Sequence, residues 1–122
     1  LLRLYRNLAE LDRATPVFCQ PMEVSRAALA GRDALAVEAQ DIFCRLLGRF
    51  SAEPAILFGA TGGVCLAGGI LPGIEPFLLG SGFRRRFLNK GVMRPLLERV
   101  PVRLIEHGQL GILGAAAAMQ IG

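Results

Sequence analysis

One run, Gly62-Gly-Val-Cys-Leu-Ala-Gly-Gly-Ile-Leu-Pro-Gly-Ile74, concentrates the residues of this chain that could do chemistry. A short apolar segment, Val64 to Ala67, sits between two Gly-Gly pairs, and a Pro-Gly turn follows. Nothing between Pro54 and Ile74 carries a charge. A β-strand that enters and leaves by bare backbone lets something flat or anionic approach its C-terminal end without meeting a Cβ. In open α/β sheets that end is where ligands bind, and nucleotide sites are often built this way. The same residues also suit two tight turns bracketing a core strand.

Other chemistry is hard to find. No Lys-Ser or Lys-Thr follows any glycine, and Gly-x-Gly-x-x-Gly does not occur, so neither phosphate-cradling fingerprint is present. A nucleotide here would therefore meet backbone through its adenosine half, with its phosphates held elsewhere. Gly59-Ala-Thr-Gly62 has Ala-Thr where a nucleophile elbow needs x-Ser-x. His107 is the sole histidine, at a strand end where a structural hydrogen bond is the ordinary use. Glu106 points to the opposite face if that strand continues, so the two make no acid–base couple. Asp33 and Glu38 belong to the polar side of a helix, and no carboxylate pair reads as a dyad or a magnesium clamp. No catalytic residue and no metal ligand is expected in this chain.

Composition narrows the class. With 122 residues, 52% hydrophobic and 20% charged, the chain makes one ordered domain at most. Cys19, Cys44 and Cys65 are too far apart for a Cys-x-x-Cys pair, and the expectation is reduced, mostly buried thiols in a cytoplasmic protein. The net charge of +4 is scattered apart from Arg84-Arg85-Arg86. Phe83 and Phe87 flank those arginines at i, i+4, which predicts two core anchors on a helix with a solvated basic face, not a nucleic-acid patch. The uncharged run is long enough to span a bilayer but is broken by six glycines and two prolines, so no membrane segment is expected. The chain opens Leu1-Leu2-Arg3 with no signal-peptide pattern, and we read it as a piece of a longer protein.

These residues must be positioned by the surrounding elements. Leu4, Tyr5, Leu8 and Leu11 predict an amphipathic helix, with Thr15-Pro16 in a loop. Pro21 to Leu29 reads as a short helix with Pro at its first position and Gly31 closing it. The clearest helix runs from Asp33 to Phe50, its apolar stripe formed by Leu35, Ala39, Ile42, Phe43, Leu46, Leu47 and Phe50. Asp41 and Arg45 pair across one of its turns. Burial of that stripe predicts a cost of ~2–5 kcal/mol for Leu46→Ala or Phe43→Ala. Ser51-Ala-Glu-Pro54 interrupts it, and Ala55 to Phe58 suits a strand or further helix equally. Strands are predicted over Val64 to Ala67 and Val102 to Ile105, side by side. Helices are expected over Ile74 to Leu79, Gly82 to Leu88, Arg94 to Arg99 and Leu110 to Ile121, the last entered by Gly108. Two strands make a poor sheet alone, so the rest of it is expected from chain outside these residues.

Read as a set, the segments resemble the C-terminal part of the bacterial glucokinase family, ATP-dependent sugar kinases of actin-like, hexokinase-type fold. They are Leu1-Leu-x-Leu-Tyr5; Ala34-Leu-x7-Phe-Cys-x3-Gly-Arg-Phe50; Gly62-Gly-Val-x-Leu-Ala-Gly-Gly-Ile70; Gly82-Phe-Arg-x2-Phe-x2-Lys-Gly91; and Pro101-Val-x-Leu-Ile-x-His107 followed by Gly111-Ile-Leu-Gly-Ala115. They stand in the family's order and cover nearly the whole chain. Ala60-Thr61 and Val92-Met93 depart from the pattern.

The resemblance implies a helix-rich α/β fold, the C-terminal part of an actin-like (RNase H-like) ATPase domain with an incomplete sheet. Residues 1–122 would be that part of the large domain, without the N-terminal portion that binds phosphate and sugar. It implies glucose and ATP as substrates, with Mg2+ held mainly outside this chain, and allows a homodimer. Gly68, Gly69 and Ile70 match its adenosine motif, and it favours helix over strand for Ala55 to Phe58. The alternative is a non-catalytic binding or regulatory module, since sugar-kinase folds are reused.

Overall fold

The computed structural model describes residues 1–106 and 109–121. His107 and Gly108, both named above, lie outside the described residues. In chain order the elements are α1 (Leu2–Leu11), α2 (Pro21–Leu29), α3 (Ala34–Leu57), β1 (Val64–Leu66), α4 (Leu71–Gly80) and α5 (Phe83–Leu88). A 3-10 turn (Gly91–Met93) then leads to α6 (Arg94–Leu97), β2 (Val102–Leu104) and α7 (Leu110–Ile121). The helix-rich α/β class and its small parallel sheet are as expected.

Local chemistry accounts for the helix boundaries. α2 begins with Pro21 at its first position, and the Glu23 carboxylate accepts hydrogen bonds from the amides of Cys19 and Gln20 at 2.9 and 2.8 Å. Those two bonds hold its pKa below the usual carboxylate range. Gly31, at φ +64°, supplies the left-handed turn that ends the segment. Asp33 caps α3, its Oδ1 accepting from the Ala36 amide at 2.7 Å. The Asp41–Arg45 pair forms at 2.8 Å, and Asp41 Oδ1 also accepts from the Gly82 amide at 3.2 Å, tying α3 to the start of α5.

α3 corrects two expectations. It runs straight through Pro54 to Leu57, where an interruption at Ser51-Ala-Glu-Pro54 was expected. Proline removes one rung of the ladder, toward the carbonyl of Phe50. Ala52 and Ala55 on either side of Pro54 are fully buried, so packing carries the helix across.

The buried face is also turned. Ala36, Ala39, Gln40, Cys44, Gly48, Ser51, Ala52 and Ala55 form it, a seam of small residues against which neighbouring helices approach closely. Of the predicted stripe only Ala39 is buried; Leu35, Ile42, Phe43 and Leu47 are half-buried, while Leu46 and Phe50 are exposed. With Leu46 38% exposed, Leu46→Ala is now expected to cost less than about 1 kcal/mol, against about 2–5 kcal/mol for the fully buried Ile74→Ala. Equal shifts of the urea midpoint for the two variants would reject this assignment of faces.

β1 and β2 are parallel, with Val64 opposite Val102, Cys65 opposite Arg103 and Leu66 opposite Leu104. Both strands are shorter than predicted. After Leu66 accepts from the Ile105 amide at 2.9 Å the ladder ends, because the chain swings out at Gly68. At the other end Gly63 has φ +128°, and a Cβ there would stand 2.9 Å from the Pro101 carbonyl oxygen. Gly63 is thus a glycine of close strand approach.

Two apolar clusters form the core. One gathers Leu66, Leu71, Ile74, Phe83, Phe87 and Leu97 around Cys44, Ala52 and Ala55 of α3. The other joins Tyr5, Val24, Ala27, Ala28, Ala36 and Ala39, and Phe77 packs against both. Phe83 and Phe87 are the predicted anchors, with ring centroids 6.1 Å apart, while Arg84, Arg85 and Arg86 are exposed. The cysteines depart from expectation. Only Cys44 is buried, which pushes its thiol pKa up, whereas Cys19 and Cys65 are exposed. Cys65 faces outward because alternate residues of a short strand face opposite sides.

Candidate functional site

The residues singled out by sequence follow directly on β1. Gly68 has φ +158°, and a Cβ on it would touch the Leu71 side chain at 3.7 Å. Its amide neighbourhood is used locally, the Gly68 carbonyl accepting from the Leu71 amide at 3.2 Å to start α4. Gly68 therefore has a conformational reason to be glycine. Gly69 has none of that kind: its φ is not in the left-handed range, and a Cβ built on it meets nothing within 4 Å. Ile70 is half-buried at the N-cap of α4 and packs against the core.

Gly69 and Ile70, with Gly73 and Ile74 one turn on, form one side of an open cleft of about 440 Å³. The other side is α2, through Met22, Ser25, Arg26 and Leu29. Gly68 does not line it. The structure thus brings together two of the three predicted residues and adds a helix wall that sequence reasoning had not connected with them. The signal was present: Met22, Arg26 and Leu29 follow i, i+4, i+7 spacing with the buried Ser25 at their edge, while Val24, Ala27 and Ala28 mark the opposite, buried face.

The cleft is mostly apolar and lies just beyond the carboxyl end of a parallel strand, the usual place for a ligand in an α/β sheet. Its size suits a nucleoside base and part of its sugar. A larger cavity of about 550 Å³ opens among Leu66, Leu78, Phe83, Phe87, Leu97 and Leu104. Leu66, Phe83, Phe87 and Leu97 are buried core residues, while Leu78 and Leu104 are half-buried at its edge. Among the described residues no three His, Cys, Asp or Glu side chains come together to hold a metal ion. Among the described residues no helix is long and apolar enough to cross a membrane.

Helices packed on a parallel strand pair, with a cleft at the strand's carboxyl end, define a helix-rich α/β fold with a candidate ligand site. A family model described as Glucokinase matches residues 1–121. A "Glucokinase-like protein" of Xylella fastidiosa is 50% identical over 116 residues, covering 95% of this chain and 35% of that protein. A "Glucokinase" of Hahella chejuensis is 42% identical over 120 residues, covering 98% of this chain and 37% of that one. The crystal structure of glucokinase from an Antarctic psychrotroph superposes with a TM-score of 0.82 at 31% identity, over 99% of this chain and 38% of its own. The chain belongs to the glucokinase family. It spans little more than a third of the length of the relatives it matches.

Proposed function

We propose that these residues are the C-terminal part of the large domain of a cytoplasmic glucokinase that phosphorylates glucose from MgATP in glucose metabolism. In this reading Gly68, Gly69 and Ile70 form the adenosine wall. Gly68 shapes the turn, while Gly69 and Ile70 present it to the base. The observation that carries it is Gly69, a glycine that neither its own backbone nor its neighbours require, facing a cleft of nucleoside size. Phosphates, Mg2+ and sugar would be held by the remainder of the protein, where a carboxylate base and positioned phosphates do the chemistry.

Three features support the incomplete-domain part of this reading. β1 pairs only with β2 among the described residues. The 550 Å³ cavity opens beside Val102 and Leu104 of β2, which are only half-buried. α7 is apolar, yet Ile112, Leu113 and Met119 are 69, 50 and 82% exposed, a surface that remaining chain, or a second copy in a homodimer, would cover.

The test is turnover by the full-length protein. Glucose and MgATP should give glucose 6-phosphate and ADP in equal amounts. Saturable nucleotide binding with no turnover of glucose would overturn the assignment in favour of a non-catalytic module of the same fold.

A further inference from the structure

Where α3 and α5 cross, a cleft of about 330 Å³ opens that shares no residue with the one beside Gly69. Ile42, Arg45, Leu46 and Arg49 of α3 line it, with Arg86 of α5. Three guanidinium groups thus border one small space, and no carboxylate lines it. Arg45 is fixed in place. Its Nε lies 2.8 Å from Asp41 Oδ2, while Asp41 Oδ1 accepts from the Gly82 amide at 3.2 Å, so both oxygens of that carboxylate are engaged. The Arg45 stem also packs so close to Gly82 that a Cβ there would stand 2.7 Å from its Cγ. Backbone contact at Gly48 and Phe83 locks the crossing, and with it the position of Arg86 relative to Arg45 and Arg49. Glu53, one turn beyond Arg49, pairs with Lys90 and feels Arg49 least of its influences. Among the described residues Arg49 and Arg86 form no salt bridge.

Cations gathered at one place repel one another, and an anion between them relieves that repulsion. Guanidinium forks match the oxygens of a phosphate group, and several forks around one group favour its dianion over a single carboxylate. The rest of the lining is aliphatic, with Ile42 half-buried and Leu46 exposed, so a hydrocarbon part gains here what a bare ion cannot. The space takes a phosphate with a handful of carbons, less than a nucleotide needs. A second copy of this face is a poor occupant, because its arginines would meet these. We propose that the cleft binds a small phosphate monoester, its phosphate held by Arg45, Arg49 and Arg86 and its organic part resting on Ile42 and Leu46. This site is independent of the adenosine reading of Gly69 and is tested without it.

The experiment is calorimetric binding of phenyl phosphate, inorganic phosphate, a single-stranded oligothymidylate and ADP to the full-length protein at constant ionic strength. The same ligands are titrated into the double variant Arg49→Gln/Arg86→Gln. Arg84→Gln/Arg85→Gln is the control, equal in charge change, since those exposed arginines of α5 do not line the cleft. Phenyl phosphate should bind saturably and more tightly than inorganic phosphate. Its dissociation constant should rise about tenfold or more in Arg49→Gln/Arg86→Gln and stay unchanged in the control. ADP binding and melting temperature should be unchanged in both variants. An equal loss in the control would mean that only net charge matters, and would overturn the proposal. So would unchanged phenyl phosphate binding in Arg49→Gln/Arg86→Gln, or inorganic phosphate binding as tightly as the ester. Parallel weakening of ADP would place these arginines in another site or in the fold, and tighter binding of oligothymidylate would make the face a nucleic-acid surface; either result refutes the site.

Discussion

Gly48→Ala is expected to destabilise the protein by about 3 kcal/mol. Gly48 sits in the buried seam of α3 where α5 crosses it. An added Cβ would penetrate the Phe83 carbonyl oxygen and stand 3.0 and 3.1 Å from the carbonyl carbon and Cα of the same residue. All three atoms are backbone, so no rotamer change relieves the clash, and α5 must move away as a unit. That movement lifts Phe83 and Phe87 out of the core and breaks the Gly82–Asp41 hydrogen bond. Gly80→Ala is the control, since a Cβ there meets nothing within 4 Å and its stability should be unchanged or slightly raised. Urea denaturation of both variants checks this. A Gly48→Ala protein within about 1 kcal/mol of the parent would show that α3 and α5 do not meet there.

The second large effect is expected on function. On the proposed function, Gly69→Val in the full-length protein should raise the Michaelis constant for ATP about tenfold or more, leaving that for glucose and the melting temperature unchanged. The space into which the side chain grows is open in the protein, so the fold should be indifferent to it. Only a ligand lying against the backbone would notice. Gly68 makes the useful contrast. Its φ of +158° strains any side chain, so a valine there should lower the melting temperature and affect both substrates together. A Gly69→Val enzyme that is thermally normal and unchanged in its ATP dependence would remove the adenosine role.

Much was legible in the sequence because its signals are local. Pro21 at a helix start, the helix beginning at Asp33, Phe83 and Phe87 one turn apart and the Asp41–Arg45 spacing each act within a few residues, and each holds in the fold. The glycine-flanked strand also announced its place at a sheet, since backbone without side chains has few other uses beside an apolar segment.

What tertiary structure alone decided is which surfaces meet. The side of α3 that is buried was set by how closely other helices approach, which favours Ala36, Ala39, Cys44 and Gly48 over the bulkier Leu46 and Phe50. Passage through Pro54 was decided likewise, by burial of Ala52 and Ala55. The distinction between Gly68 and Gly69, alike in sequence, came from a backbone angle and an empty volume. The pairing of that turn with α2 joins residues forty or more positions apart, which no local spacing can encode. Periodicity reports the faces a helix has; only packing chooses the partner of each.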